Sequence, residues 1–492
     1  MGAFSDVAGS ATSTKKLVNL LRGITRPPKA LRVQSAFSNT SFRWPNPSLL
    51  PTQLLDKATH NVLKDQNIAF PAMSYGPDPG DSRLRKNVAS WLTDFYQPVD
   101  PVAEERVCIT GGASQNLACL LQVFTDPVYT RNVWVVAPAY MLSFRMFEDA
   151  GFHEKLRAIP EDDEGIDIEY LRWEIRKSEH KAKASGNNKP RIKPSRPWGK
   201  IYKHIIYAVP TFSNPSFKTM SLRRRQELVR IAREYDALVI TDDVYDFLQW
   251  PSSLTTRTMS LEKAVLPRIV DVDRYLDGGA ERADADGFGN AVSNASFSKI
   301  CGPGLRTGWC EGTIKLAYGV SQTGSSRSGG APSQLTACFV AETLATGELQ
   351  HFVYHTLQPS YCKRYRKMVE VINKELIPLG VRLPQTDREV VGGYFIWLTL
   401  PHPLKGAVLA QRAKEDENVV VAQGEIFEVP GDTEHPSTSF GNDIRICFAW
   451  EDEDMLAEGI SRLAVVIRKM QGETGEQGTQ PVATEGQAKN FW

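Results

Sequence analysis

Between about residue 75 and residue 312, short apolar runs alternate with amphipathic helical patterns, and this alternation restricts the fold more than any other feature of the 492 residues. The stretch SRLRKNVASWLTDFY puts Leu84, Val88, Trp91, Leu92 and Phe95 on one helical face, and SQNLACLLQVF does the same with Leu117, Leu120, Leu121 and Phe124. A third helix is expected over SLRRRQELVRIAREYDA, with Ser221 as its N-cap and Leu228, Ile231, Ala232 and Tyr235 along one stripe. VWVVAP, HIIYAVP, ALVITDDVY and NAVSNASFS are β-rich runs bounded by Pro, Asp or Ser, which read as buried strands. Strands that alternate with helices imply an α/β domain, a mostly parallel sheet sandwiched by helices, placed at 67–332.

From about residue 333 the pattern changes to a long helical stretch, then GGYFIWLTLP, DIRICFAW and a closing helix with Leu456, Ile460, Leu463 and Ile467 on one face. This reads as a smaller α+β domain over 333–470. Strand alternation in DIRICFAW sends Ile444, Ile446 and Phe448 one way and Arg445 the other. Residues 1–66 read as an N-terminal arm with part of the small domain, and 471–492 as a polar, disordered tail. The basic stretch 176–203 and the Gly/Asp-rich DGGAERADADGFGNA read as loops.

A chain of this length exceeds what one hydrophobic core usually spans, so two domains are expected. With 58 basic and 57 acidic residues there is no global charge to draw nucleic acid, membrane or an acidic partner, and function belongs to a local site. The seven cysteines are scattered and never spaced C-x-x-C, which suits reduced thiols in a cytoplasmic enzyme. The opening MGAFSDVAGS has no apolar core of a signal peptide, and Asp6 stands where a myristoylation signal needs Ser or Thr.

Chemistry concentrates in NASFSKICGPGLRTGW. Lys299 follows Ser296 and Ser298, and Arg306 lies seven residues on, so a strand end and its turn can gather two hydroxyls and a cation around one anion. A second anion candidate is ITGGASQNL, a strand, a small-residue turn and a helix whose first N–H groups suit a phosphate. Neither a P-loop nor a dinucleotide fingerprint is present. An amine beside phosphate-type sites points to a phosphorylated aldehyde held as a Schiff base, the chemistry of pyridoxal 5'-phosphate.

The sequence resembles the class I/II aminotransferases, fold type I pyridoxal phosphate enzymes, over about 67–468. SYGPDPGDSRLR, TGGASQNL, PAYMLSF, VPTFSNPSFKTMSLRRR, TDDVYDFL, SFSKICGPGLRTGW and IRICFAW match the family's motifs in order. The resemblance implies that Lys299 forms the Schiff base and moves the proton at Cα. It further implies that Asp242 pairs with the ring nitrogen, with Asp243 as rival, that Tyr245 and Asn214 donate to the phenolate oxygen, and that Tyr140 stacks on the ring. Gly112, Ala113, Ser114, Ser296, Ser298 and Arg306 would hold the phosphate, with Tyr75 reaching it from the neighbouring subunit of a homodimer. Arg445, with Asn214, would clamp the substrate carboxylate.

The texture of SFSKICGPGLRTGW and GGYFIWLTLP is closest to the aromatic, kynurenine and 2-aminoadipate aminotransferases. Transfer of an amino group from an L-amino acid to a 2-oxo acid, in a specialised biosynthetic role, is the expected function. A C–S or β-eliminating lyase on the same fold is the alternative, and a ligand-sensing regulator a remote third. Departures from the family pattern are Phe217 in a turn usually made by glycine, the longer basic insert at 176–200, and about twenty extra residues, 24–43, that read as an insertion. His351 and His355 lie four apart on a helix with no third ligand in the pattern, and read as a surface pair.

Overall fold

The computed structural model describes residues 38–39, 45–283, 285–384, 388–432 and 436–474. The insertion read at 24–43, apart from the backbone of 38–39, and the tail beyond 474 lie outside the described residues.

Seven strands form the main sheet: β1 (Val107–Thr110), β2 (Asn132–Val136), β3 (Leu156–Ile159), β4 (His204–Ala208), β5 (Ala237–Asp242), β6 (Ala291–Ser296) and β7 (Gly308–Glu311). Their spatial order is β1-β7-β6-β5-β4-β2-β3. Only β7 runs antiparallel to its neighbours. Neither β3 nor β7 is among the strands expected from the pattern: Arg157 interrupts the apolar run of β3, and β7 hides behind the Gly-Pro-Gly turn.

Alternate side chains of these strands enter different apolar layers. Val133, Val135, Ile205, Tyr207, Leu238, Ile240 and Val292 pack with Leu117, Leu120, Leu121 and Phe124 of helix α2 (Ala113–Phe124), which follows α1 (Ser82–Tyr96). Trp134, Ile206, Val239 and Ala291 pack on the opposite side. There they meet Ile168, Leu171 and Ile175 of α3 (Ile168–Ala184) and Leu228, Ile231 and Ala232 of α4 (Leu222–Glu234). A sheet covered on both faces gains little from polar alternation, which is why its strands read as continuous apolar runs. Ser221 does cap α4, accepting from the Arg224 amide at 3.2 Å.

The basic stretch 176–203 is only partly a loop. Asp167 caps α3 by accepting from the Tyr170 amide at 3.0 Å, and the buried stripe Ile168, Leu171, Ile175 and Ala182 carries the helix to Ala184, with its lysines on the exposed side. Beyond it the chain is pinned by one carboxylate. Asp126 accepts the amides of Arg191, Ile192 and Lys193 at 2.7–3.2 Å, and those of Val128 and Tyr129 at 2.9 Å, which holds its carboxyl down at about 2 despite the cost of desolvation.

A smaller antiparallel sheet, order β8-β10-β9, consists of β8 (Phe395–Thr399), β9 (Ala422–Gln423) and β10 (Asp443–Cys447). Helices α5 (Gln358–Glu375) and α6 (Glu453–Thr474) pack on it through Tyr361, Met368, Ile372, Leu456, Ile460, Leu463 and Ile467. Residues 471–474, expected in the tail, still belong to α6. All seven cysteines are buried and unbridged. Among the described residues no helix is long and apolar enough to cross a membrane.

Candidate active site

Sheet parity sorts the residues at the ends of the strands. Asp242 closes β5 on the face of Leu238 and Ile240, and there its Oδ2 accepts from the hydroxyl of Tyr207 on β4 at 3.0 Å. Asp243 turns to the other face and accepts from Thr241 at 2.7 Å and Ser293 at 2.5 Å. Asp242 is the carboxylate that shares an electrostatic environment with Lys299. Burial pushes its carboxyl up to about 7, against the Tyr207 hydrogen bond, with the Asp243 charge raising it further and Lys299 lowering it. Its Oδ1 is buried with no hydrogen-bond partner among the described residues.

Lys299 ends the short turn Phe297–Lys299 directly after β6. Its Nζ lies 5.7 Å from the ring centroid of Tyr245 and 5.3 Å from that of Tyr394. Both rings are buried and stand 5.5 Å apart. Burial raises the Tyr245 hydroxyl well above its ordinary value, so at neutral pH it is a proton-bearing donor. Tyr140, half-buried at the start of the helix Met141–Phe147, lies within electrostatic reach of Tyr207 and Tyr245.

A polar cradle stands beside the lysine. Ser296 Oγ accepts from the Ser298 amide at 3.1 Å and lies 2.8 Å from its hydroxyl. Arg306, held at φ +49°, donates to the carbonyls of Pro303 and Gly111, both at 2.9 Å. Gly112 sits at φ +95° as N-cap of α2, and a Cβ there would stand 3.1 Å from Arg306 Nη2 and 3.4 Å from Ser296 Oγ. Gly308 is equally constrained, since a Cβ would stand 2.4 Å from Ala295 O and 2.8 Å from Gly112 Cα. Ala113 lies in the first turn of α2, its carbonyl accepting from Asn294 at 3.1 Å, and Ser114 beside it is exposed. Two hydroxyls, a guanidinium and a helix N-terminus thus converge on one spot.

Arg445 lies on the central strand of the small sheet and is 1% exposed, so it is not a charge at a strand edge. Its Nη1 donates to Asn214 Oδ1 at 2.7 Å, and its guanidinium lies 3.9 Å over Phe395 and 4.9 Å from Phe427. The turn carrying Asn214 has two phenylalanines in the left-handed region, Phe212 at φ +51° and Phe217 at φ +66°. Phe217 therefore takes the backbone conformation that glycine favours, and its ring is buried 5.8 Å from that of Tyr365.

Tyr75 is 90% exposed and lines a surface cleft with 328–335, where Ser333 donates to the Arg306 carbonyl at 2.9 Å. It opens outward beside the cradle. Trp309 is a core aromatic, packed on Phe297 and Phe247. His351 and His355 stack at 4.2 Å on an exposed face. Tyr207, Tyr394, Asn294 and Gly308 escaped the sequence reading. A tyrosine and an asparagine inside otherwise apolar strands were the only signals they left.

A profile of the family described as aminotransferase class I and II matches residues 49–463. An uncharacterised protein of Saccharomyces cerevisiae is 33% identical over 86% of this chain and 95% of its own length. An aromatic-amino-acid aminotransferase of Thermococcus litoralis is 26% identical over 86% of each chain. The crystal structure of a Pyrococcus horikoshii kynurenine aminotransferase superposes with a TM-score of 0.69 at 25% identity, covering 94% of this chain and 96% of the other.

Proposed function

We propose, from the premise that this chain belongs to the aminotransferase class I and II family and is a pyridoxal phosphate-dependent transaminase of fold type I, that Lys299 is the amine on which its chemistry turns. The observation that carries the assignment is the convergence of three unlike groups: a lysine amine between two tyrosine rings, the Ser296, Ser298, Arg306 and Gly112 cradle, and the orphaned oxygen of Asp242. These residues fit pyridoxal phosphate. The cofactor, when bound, supplies an aldehyde that condenses with amines and a ring that accepts electrons from Cα.

The protein's residues do the rest. Ser296, Ser298, Arg306 and the α2 amides from Gly112 to Ser114 would hold the phosphate, and Tyr140 would cover the ring. Asp242, fixed by the Tyr207 hydroxyl, would hold the ring nitrogen and favour its protonation. Tyr245 would donate its hydroxyl to the phenolate oxygen. Arg445 binds the substrate α-carboxylate, with Asn214 holding the guanidinium and Phe395 supporting it from below. Lys299 Nζ would take the proton from substrate Cα and hand it on to the cofactor side, acting first as base and then as acid.

We place the amino donor among L-amino acids with aromatic or 2-aminoadipate-like side chains, the substrates named for relatives at 26% identity, and the acceptor among 2-oxo acids. Tyr75, Phe70 and Met73, 90%, 75% and 66% exposed, support a second copy of the chain as the partner that covers the cleft. Seven unbridged cysteines support a reducing compartment. The test is chromatographic: incubate the holoenzyme with each donor and 2-oxoglutarate, and measure the new glutamate. Lys299→Ala forming glutamate at the wild-type rate would refute the assignment.

A further inference from the structure

Tyr394 lies in the turn at 393–394 just before β8. Its ring is 1% exposed, and its side chain meets Lys299 at both ends. The hydroxyl donates to the Lys299 carbonyl at 2.8 Å, while the ring stands 5.3 Å from Nζ. The carbonyl can only accept, so the single Tyr394 proton is spent there. The 3.2 Å contact between the Tyr361 and Tyr394 hydroxyls must then be donated by Tyr361, which lies on α5. A directed chain results, from the Tyr361 hydroxyl to Tyr394 to the peptide of the lysine.

The same turn and the residue before it brace the opposite wall of the site. A Cβ on Gly392 would meet Leu248 O at 2.1 Å and Phe212 Cε2 at 2.6 Å. Gly393, at φ +74°, donates to Leu248 O at 2.9 Å and would bring a Cβ within 3.1 Å of Phe212 Cβ. Phe212 begins the strained turn that presents Asn214 to Arg445. The Tyr394 carbonyl in turn accepts from the Phe448 amide at 3.0 Å, just past the strand bearing Arg445.

We propose that Tyr394 is a positioning residue that fixes the peptide plane and amine of Lys299 together. This rests on the assignment of Lys299 above. The turn Phe297–Lys299 is a single helical turn, closed by the Ile300 and Cys301 amides on the Phe297 carbonyl, and a lysine has four rotatable bonds, so the placement of Nζ depends on where the backbone starts and on what flanks the amine. Tyr394 contributes to both constraints from the turn before β8. It never has to touch the substrate to set the reactivity of the lysine.

The test compares Tyr394→Phe and Tyr361→Phe, each of which removes one buried hydroxyl. In the cofactor-free protein, acylation of Lys299 by acetic anhydride is followed by peptide mass spectrometry. In the holoenzyme, kcat and KM are measured, and thermal melts are recorded for all forms. Tyr394→Phe is expected to acylate Lys299 about three- to tenfold faster and to lower kcat by a similar factor with KM within about twofold, the effect of one lost hydrogen bond. Tyr361→Phe, with a comparable change in melting temperature, is expected to move both by less than half as much. Equal effects of the two variants, or wild-type acylation and kcat in Tyr394→Phe, would overturn the proposal. Borohydride reduction of the holoenzyme separates the two readings: cofactor found on a lysine other than 299 overturns both, whereas cofactor on Lys299 with unchanged Tyr394→Phe behaviour overturns only the positioning role.

Discussion

Replacing Asp242 by Asn should make the cofactor-free protein less sensitive to rising pH. The Asp242 carboxyl titrates at about 7 in the fold and at its ordinary 3.8 when unfolded. A folded-state value above the unfolded one means that folding takes up a proton, so the stability it confers is complete below 3.8 and is lost as pH climbs through about 7. Each unit is worth about 1.4 kcal/mol, which puts the full penalty for holding the ionised carboxylate at roughly 4 kcal/mol. About 2 kcal/mol of this accrues between about pH 5.5 and about pH 8, and the partial exposure of the side chain makes that an upper bound. Asn cannot ionise and keeps one acceptor for the Tyr207 hydroxyl. Urea melts of the cofactor-free wild type and Asp242→Asn at these two pH values should therefore show the variant gaining on the wild type as pH rises. With cofactor bound the order should reverse, because a protonated ring nitrogen held by the carboxylate, as proposed, would turn its charge from a cost into a contact, and the variant should lose cofactor affinity. Parallel melts at both pH values, or a wild type that gains on the variant toward alkaline pH, would refute the reasoning.

Arg445→Lys keeps the charge but loses the planar fork and its support on Phe395, and should raise KM for the amino donor about 10- to 100-fold in steady-state assays. Gly308→Ala drives a methyl against the Ala295 carbonyl at 2.4 Å, so β6 and β7 must separate at the cradle. Denaturant melts should show a loss of about 1–3 kcal/mol, with weakened phosphate binding. Asp126→Ala releases five backbone amides and should speed trypsin cleavage within 188–196, read by mass spectrometry, with kcat unchanged.

The sequence on its own determined the layered α/β architecture, because burial on both faces of a sheet leaves apolar runs and helical stripes that survive in one dimension. It also determined which side chains were chemically out of place: a lysine among serines, paired aspartates at a strand end, an arginine inside an apolar strand. Phe217 showed as an anomaly, though not that it would adopt a glycine-like conformation and bury its ring against Tyr365. What tertiary structure decided was direction and company. Asp242 and Asp243 are adjacent letters, and only the pairing of β5 with β4 and β6 shows that one meets Tyr207 beside the lysine while the other is tied to Thr241 and Ser293. The bond from Tyr394 to Lys299 spans 95 positions and joins the turn before β8 to the turn after β6. No local pattern records such a contact, because it exists only once long-range packing has brought the two turns together.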